Sequence, residues 1–156
     1  MCGICGIVGP ASGDSGTMTV VGRMMELLSH RGPDGSGTAT GPGFAFGHRR
    51  LAVIDLANGA QPMVSDDGAV TLVYNGEIYN YIELRQRLIQ RGATFRTHSD
   101  TEVLLKAYLE FGPDCLGMFN GMFAFGLFDA RRGTFFAARD HFGVKPFYYG
   151  LLPDGS

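Results

Sequence analysis

The chain has 156 residues, a formal net charge of −2 and 45% hydrophobic residues. This composition predicts a globular domain and excludes a disordered polyelectrolyte, since only 18% of the residues are charged. The balanced charge offers no basic surface for nucleic acid or for an anionic membrane. The longest near-apolar stretch, 118–128, is too short to cross a bilayer, which takes about 20 residues. Since no signal-peptide pattern opens the chain, we expect a cytoplasmic protein.

The first half of the chain alternates apolar runs with glycine-rich stretches, and the spacing of its apolar residues predicts its elements. We expect, in order, a strand, a helix, a long glycine-rich loop and two strands around a pair of arginines: 3–9, 18–29, 30–43, 44–48 and 51–54. A further strand, 70–74, is predicted to end in a tight turn at Asn75-Gly76, because this dipeptide suits a type I′ turn.

The second half shows clear helix and hairpin signals. A helix over 81–91 should place Ile82, Leu84, Leu88 and Ile89 inward and end at Gly92. The capping box Ser99-x-x-Glu102 predicts a second helix that ends at Gly112-Pro113. Two strands joined by a hairpin loop, another strand and a final turn are expected at 122–128, 134–138, 148–150 and 153–156. Helices that fall between hairpin groups favour an α+β fold with two packed sheets and helices outside.

Three cysteines make a disulfide framework improbable in a chain with no export signal. Cys2 and Cys5 form a C-x-x-C pair, but zinc needs further ligands at suitable spacing, so we expect no metal site. Cys5 and Cys115 are predicted to be small buried apolar residues. A redox or metal protein built on Cys2 and Cys5 is the alternative, which a measurement of metal content would test.

Cys2 follows the initiator methionine, whose removal would leave Cys2 with a free α-amino group beside its thiol. An α-amine titrates near 8 and a free thiol near 8.5, so the amine can accept the thiol proton and one residue can be both nucleophile and base. Asn75-Gly76 offers a side-chain amide and an unhindered backbone N–H, which are donors that an oxyanion needs. This interpretation competes with the turn predicted above.

Several charged residues suit an α-amino acid as the ligand. Arg49 or Arg50 suits a carboxylate, and Glu77 and Asp100 suit an ammonium group. Asp100 also fits the start of a helix. Together with Cys2, these residues indicate a site that binds an α-amino acid and presents its side-chain carbonyl to the thiol.

Six segments in order along the chain carry a specific resemblance. They are Met1-Cys2-Gly3-Ile4, His30-Arg31-Gly32-Pro33-Asp34-Gly35, Arg50-Leu51-Ala52-Val53-Ile54-Asp55, Asn75-Gly76-Glu77-Ile78-Tyr79-Asn80, Ser99-Asp100-Thr101-Glu102 and Arg139-Asp140-His141-Phe142-Gly143-Val144-Lys145-Pro146. The chain resembles the N-terminal glutaminase domain of glutamine-hydrolysing asparagine synthases, a class II glutamine amidotransferase domain among the N-terminal-nucleophile (Ntn) hydrolases. Amidophosphoribosyltransferases and glucosamine-phosphate synthases share the Cys2 start and an Asn-Gly pair, but lack this combination of segments.

The resemblance implies a four-layer α-β-β-α sandwich of two antiparallel sheets. It implies that L-glutamine is hydrolysed to glutamate and ammonia through a thioester on the cysteine. The catalytic residues that it implies are Cys2, Asn75 and Gly76, and the glutamine-binding residues are Arg50 for the α-carboxylate, Val53 for backbone contacts, and Glu77 and Asp100 for the α-ammonium. It thereby selects Arg50 over Arg49.

In whole enzymes of this family, the ammonia amidates aspartate in a second, synthetase domain that uses ATP and Mg²⁺. That domain is absent from residues 1–156, so we expect a glutaminase domain that needs no cofactor and lacks its C-terminal strands. L-Glutamine and the absent domain are the expected partners, and a homodimer is left open. Two alternatives also stay open: a related amidotransferase with a different acceptor, and a non-catalytic fragment.

Overall fold

Two antiparallel sheets lie face to face in the computed structural model, which describes residues 1–10 and 12–152. The first sheet has the order β1-β3-β2, with β1 at Gly3–Val8, β2 at Gly35–Gly41 and β3 at Phe44–Arg50. The second has the order β4-β5-β6-β7, with β4 at Met63–Val64, β5 at Val70–Ile78, β6 at Gly121–Asp129 and β7 at Thr134–Arg139. The helices are α1 (Ser15–Leu27), α2 (Tyr81–Gln90) and α3 (Asp100–Phe111), and 3₁₀ turns follow α1 at Ser29–Arg31 and α3 at Gly112–Met118.

Alternate residues of the strands face different layers, as the two-residue period of a strand requires. On β3, Ala45 packs against α1, whereas Phe44 and Phe46 pack between the sheets against Val73 and Phe128. On β5, the neighbours of Val73 turn the other way and join the large core that α2 and α3 cover. The fold is therefore the expected α+β sandwich, with α1 outside one sheet and α2 and α3 outside the other.

Both predicted helices of the second half are confirmed. Ser99 caps α3, because its hydroxyl accepts the Glu102 N–H at 3.2 Å. The Glu102 carboxylate accepts the N–H groups of Arg96 and Thr97 instead of that of Ser99, so only half of the capping box forms. Gly112, with φ of 59°, ends the helix.

The glycine-rich stretch predicted as a loop contains a strand, β2. Glycine, serine and threonine give no apolar alternation, so the pattern did not reveal it. Gly37 also lies against the backbone carbonyl of Gln61, and a Cβ would not fit there. The predicted strand 51–54 is wrong, because β3 runs through both arginines to Arg50 and the chain then leaves the sheet.

The turn predicted at Asn75-Gly76 is also wrong, because β5 continues through both residues to Ile78. Of the four apolar residues predicted inward on α2, Leu84 and Leu88 are buried, whereas Ile82 and Ile89 are half exposed. Residues 148–150 form no strand, since no strand within the described residues pairs with them, and both of their tyrosines are exposed. The hairpin 122–138 is confirmed as β6 and β7, and the final turn lies outside the described residues. None of the helices within 1–10 and 12–152 has the length and apolar character that crossing a bilayer requires.

Candidate active site

A pocket of about 130 Å³ opens where β1 begins and β3 ends. Its lining includes all seven residues predicted as site residues: Cys2, Arg50, Val53, Asn75, Gly76, Glu77 and Asp100. The first wall, as we call it, consists of Cys2, Arg50 and Val53, which belong to the ends of the first sheet and the loop that follows. The second wall consists of Asn75, Gly76, Glu77 and Asp100, which belong to β5 and the start of α3.

The Cys2 thiol lies against the backbone of Leu51. Its Sγ accepts the Leu51 N–H at 3.4 Å and lies 3.6 Å from the Leu51 carbonyl oxygen. The Arg31 Nε donates to the Cys2 carbonyl at 3.1 Å and so fixes the backbone of this residue. These contacts hold the sulfur at the wall of the pocket, beside the backbone of Leu51.

The other two cysteines lie in different environments. Cys115 is buried as predicted, and burial together with the charge of Asp114 raises the pKa of its thiol to about 12. Cys5 is half buried between α1 and β3, and burial raises its pKa to about 11 although a hydrogen bond to the Gly47 backbone lowers it. Both thiols therefore stay protonated at neutral pH.

Asn75 and Gly76 lie in the middle of the β5–β6 ladder, where Gly76 pairs with Phe123. A Cβ at Gly76 would lie 2.6 Å from the Phe123 Cα and closer still to the Met122 carbonyl oxygen. A side chain at this position would force the two strands apart, so packing with β6, and not a turn, requires the glycine. Asn75 is buried and lines the pocket beside it.

Arg50, and not Arg49, lines the pocket. Its guanidinium donates to the carbonyls of Leu56 at 2.9 Å, Asp55 at 2.7 Å and Ile54 at 3.3 Å. These contacts fix the cation in place and leave N–H groups for a ligand, because a guanidinium carries five. A fixed guanidinium at a pocket wall is well suited to a carboxylate.

The two acidic residues of the second wall differ in their surroundings. Asp100 is the first residue of α3, and its carboxylate accepts the Tyr74 hydroxyl at 2.7 Å and the Ile78 N–H at 3.1 Å. Burial raises the pKa of Asp100, and these two hydrogen bonds partly offset that shift. Glu77 is half buried, and within the residues that the structure describes its carboxylate has no hydrogen-bond or ion-pair partner. This pair leaves carboxylate oxygens facing the pocket for a cationic group.

Several lining residues were not predicted as site residues, among them Gln61, Tyr74 and Lys145. The Gln61 side chain joins the two walls, since its Oε1 accepts the Tyr74 N–H at 2.7 Å and its Nε2 donates to the Thr101 hydroxyl at 3.4 Å. No sequence signal marks Gln61 or Tyr74. Lys145 lies within the last of the six segments that carry the family resemblance. That segment could have marked Lys145 as a candidate site residue, although the resemblance assigned it no role.

Comparison with known proteins yields consistent matches. The family described as "Glutamine amidotransferase domain" matches residues 1–156. Asparagine synthetase [glutamine-hydrolyzing] 1 of Bacillus subtilis is 40% identical over 156 residues, which cover 99% of this chain and 25% of that protein. The asparagine synthetase of Asparagus officinalis is 45% identical over 159 residues, which cover 100% of this chain and 26% of that protein. The chain thus spans about a quarter of the length of the curated relatives it matches.

Solved structures show the same fold. The glutamine phosphoribosylpyrophosphate (PRPP) amidotransferase from B. subtilis, complexed with ADP and GMP, matches with a TM-score of 0.73 and 26% identity. The match covers 98% of this chain and 40% of that one. An allosteric regulatory enzyme of purine biosynthesis matches with a TM-score of 0.68 at 24% identity, over 83% of this chain and 36% of that one.

Proposed function

The chain belongs to the glutamine amidotransferase domain family, and on that premise we propose that its pocket hydrolyses L-glutamine to glutamate and ammonia at Cys2. One observation carries the proposal: a single pocket brings together a thiol beside a backbone donor, an Asn-Gly pair, a fixed arginine and two carboxylates. These are the groups needed to bind an α-amino acid and to attack its side-chain amide.

The first half of the reaction forms a thioester. After removal of Met1, the α-amine of Cys2 accepts the thiol proton, and Sγ attacks the side-chain amide carbon of glutamine. The Asn75 side-chain amide and the Gly76 N–H donate to the oxyanion that forms. The protonated amine then gives its proton to the leaving nitrogen, so that ammonia departs and a γ-glutamyl thioester remains.

The second half regenerates the thiol. The neutral amine accepts a proton from water, and the resulting hydroxide attacks the thioester carbonyl with the same two donors on its oxygen. When the C–S bond breaks, the sulfur takes the proton from the amine and glutamate leaves. One water is consumed for each glutamine, and the enzyme returns to its starting state.

Charge complementarity supports glutamine as the substrate. Arg50 suits the α-carboxylate, and Glu77 and Asp100 suit the α-ammonium. With the α-amino acid end bound at these groups, the length of the side chain decides whether its amide carbon reaches Cys2. We expect asparagine, which is one methylene shorter, to fall short of the sulfur.

We further propose that residues 1–156 act as the glutaminase domain of a longer asparagine-forming protein, in which the ammonia amidates aspartate at a synthetase domain that requires ATP and Mg²⁺. The names of the relatives at 40–45% identity support this acceptor over that of the PRPP amidotransferase, which is 26% identical. Our proposal assigns no cofactor to the glutaminase domain itself.

Alkylation by 6-diazo-5-oxo-L-norleucine, a glutamine analogue that reacts with thiols, tests the glutaminase proposal. The untagged chain is incubated with the analogue, and its adducts are mapped by intact mass and peptide mass spectrometry. We expect a single adduct on Cys2 of a chain that has lost Met1, with protection by excess glutamine and none by asparagine. The Cys2→Ala variant is the control and should take up no label.

Two results would contradict the glutaminase proposal. Labelling spread over all three cysteines without protection by glutamine would contradict a glutamine-specific site. The same conclusion would follow if protein that retains Met1 or carries an N-terminal tag released ammonia from glutamine at the rate of the mature protein.

A further inference from the structure

The segment 139–146 resembles the family, yet the reaction described above uses none of its residues. The structure places its lysine, Lys145, in the lining of the pocket with only 4% of its surface exposed. The Nζ of Lys145 lies 3.0 Å from the Sδ of Met1. Within the described residues no carboxylate lies within 4.0 Å of this ammonium group, so it forms no ion pair there.

Asp140 fixes the position of this segment. Its carboxylate accepts four backbone N–H groups, those of Phe123 at 3.1 Å, Phe142 at 3.1 Å, Val144 at 2.9 Å and Lys145 at 3.0 Å. Burial alone would raise the pKa of Asp140, but these four donors outweigh it and keep the pKa below its usual value. Phe123 is the β6 residue that pairs with Gly76, so the segment is attached beside the proposed oxyanion site.

Removal of Met1 changes what the Lys145 ammonium faces. The thioether in contact with it departs, and a new α-amine appears on Cys2 in the same part of the pocket. The Lys145 Nζ lies 3.0 Å from the Met1 Sδ, and only the Met1 side chain and carbonyl carbon separate that sulfur from the Cys2 nitrogen. Covalent geometry therefore limits the distance from Nζ to the new amine nitrogen to about 10 Å. At this range a buried charge acts on the protonation of the amine.

Other charged and titratable groups line the same pocket or contact the backbone of Cys2. They are Arg31 from the 3₁₀ turn after α1, Arg50 from β3, Tyr74 and Glu77 from β5, and Asp100 from α3. The carboxylates favour the ammonium form of an amine, and that form cannot accept a proton. A nearby cation has the opposite effect and favours the neutral form. Arg50 already donates to three loop carbonyls, whereas among the described residues no carboxylate pairs with Lys145.

We propose that Lys145 is a positioning residue of the glutaminase reaction, whose buried ammonium keeps the α-amine of mature Cys2 neutral and therefore able to accept the thiol proton. The inference rests on the proposed function, since it gives the amine of the first wall the role of general base. The inference also gives the conformation of the segment 139–146 a purpose, since the hydrogen bonds to Asp140 hold the Lys145 ammonium next to the N-terminus of the chain.

The first experiment measures the amine without relying on catalysis. In a Cys2→Ala background, which leaves an α-amine but no thiol, trace acetylation by acetic anhydride is followed against pH by mass spectrometry. Relative to the Cys2→Ala protein that retains Lys145, the Lys145→Met variant should raise the pH midpoint of amine acetylation by about one unit. A shift of this size is expected from the loss of one charge at this distance. Lys145→Arg, which retains the charge, should leave the midpoint within about 0.3 units.

The second experiment measures kcat/KM for glutamine against pH in the proteins that retain Cys2. Lys145→Met should move the acidic limb to higher pH by the same one unit, which means about a tenfold loss at pH 6.5 and less than a twofold loss at pH 9. Lys145→Arg should restore the original profile. A purely structural role would lower kcat/KM equally at all pH values.

Lys106 provides the matched control, because it is the other lysine of the chain and pairs with Asp66 outside the pocket. Lys106→Met should leave the acetylation midpoint of the amine unchanged. If Lys145→Met fails to fold, as judged by near-UV circular dichroism, Lys145→Gln replaces it with the same expectations.

Identical acetylation midpoints for Lys145 and its uncharged variants would overturn the inference. A midpoint that moves as expected in the Cys2→Ala proteins, while the proteins that retain Cys2 release no ammonia from glutamine, would leave the effect of Lys145 standing and reject the proposed function instead. The two failures can therefore be told apart.

Discussion

The two walls of the pocket differ in how they are supported. The second wall lies in β5 and α3, and Asn75 and Asp100 in it are 5% and 4% exposed above a large apolar core. The first wall continues into residues 51–62, which have no regular secondary structure, and Val53 in it is 67% exposed. Support by a core means that a change in the second wall should affect stability and chemistry together, whereas a change in the first wall should affect chemistry with little effect on stability.

The largest effect should come from the first wall, through Cys2→Ser. We expect ammonia release from glutamine to fall by at least about 10³-fold, or roughly 4 kcal/mol in activation free energy, because a hydroxyl is far less readily ionised than a thiol. The melting temperature should change by less than about 2 °C, since one atom at the pocket surface is replaced. Steady-state ammonia assays and thermal melts measure both quantities. Turnover above a tenth of the wild-type rate would mean that Cys2 is not the nucleophile.

Gly76→Ala, in the second wall, should lower both stability and activity. Because the new Cβ would lie 2.6 Å from the Phe123 Cα, β5 and β6 must separate, and we expect a loss of about 2–3 kcal/mol in the free energy of unfolding. The glutaminase rate should fall as well, since the proposed oxyanion donor moves. Urea unfolding and the ammonia assay measure the two effects.

Gly22→Ala is the matched control for this substitution. Gly22 lies in α1, and no atom of the described residues lies within 4 Å of the position of an added Cβ. Alanine there should therefore stabilise the protein by up to about 1 kcal/mol. If Gly76→Ala were as stable as Gly22→Ala, the close approach of β5 and β6 would not constrain the second wall.

Local signals predicted much of this architecture but not the walls themselves. The Ser99 cap and the Gly112 stop are local features, and the structure contains both. The Asn75-Gly76 pair is also a strong local turn signal, but pairing with β6, some 45 residues further along the chain, keeps it in a strand. The dipeptide itself does not reveal non-local packing of this kind.

The residues of the pocket were predictable to different degrees for similar reasons. Residue types alone left Arg49 and Arg50 equivalent, and only the resemblance distinguished them before the structure placed Arg50 in the lining. The apolar run 51–54 reads as a strand, yet it forms part of an irregular wall that Arg50 holds through loop carbonyls. Gln61 acts through a contact with the Tyr74 backbone, which no pattern of residue types encodes.

His48 tests how the walls are coupled, because it lies on β3 and its Nε2 is 3.2 Å from the Tyr74 carbonyl oxygen on β5. Burial lowers the pKa of His48 to about 4, and the charge of Arg50 adds to this effect, while the contact with Tyr74 opposes it. The unfolded chain takes up a proton below about pH 6.5 and the folded chain does not. The stability contributed by neutral His48 is therefore complete above pH 6.5 and is lost as the pH falls towards 4, by about 3 kcal/mol in all.

Urea unfolding between pH 7 and pH 4.5 measures this dependence, with His48→Gln as the comparison. The glutamine amide can donate to the Tyr74 carbonyl but does not titrate, so its stability should fall less steeply with acid. Parallel curves for the two proteins would show that His48 titrates in the folded state as it does in the unfolded chain, and that the walls are not joined by a buried neutral imidazole.

Arg50→Lys should give the smallest effect and the sharpest separation of binding from folding. A lysine retains the charge but loses the planar pair of N–H groups that suits a carboxylate, so we expect KM for glutamine to rise about tenfold, or roughly 1.4 kcal/mol, with kcat within threefold. Lost donors to the carbonyls of Leu56 and Asp55 should lower the melting temperature by only a few degrees, because that loop packs little apolar surface. Arg49→Lys is the control, and it should leave KM within twofold, since Arg49 does not line the pocket. Equal changes in KM from both substitutions would mean that Arg50 does not bind the α-carboxylate of glutamine. A loss of stability as large as that of Gly76→Ala would instead show that the loop supports the fold as β5 does, and the difference between the two walls would disappear.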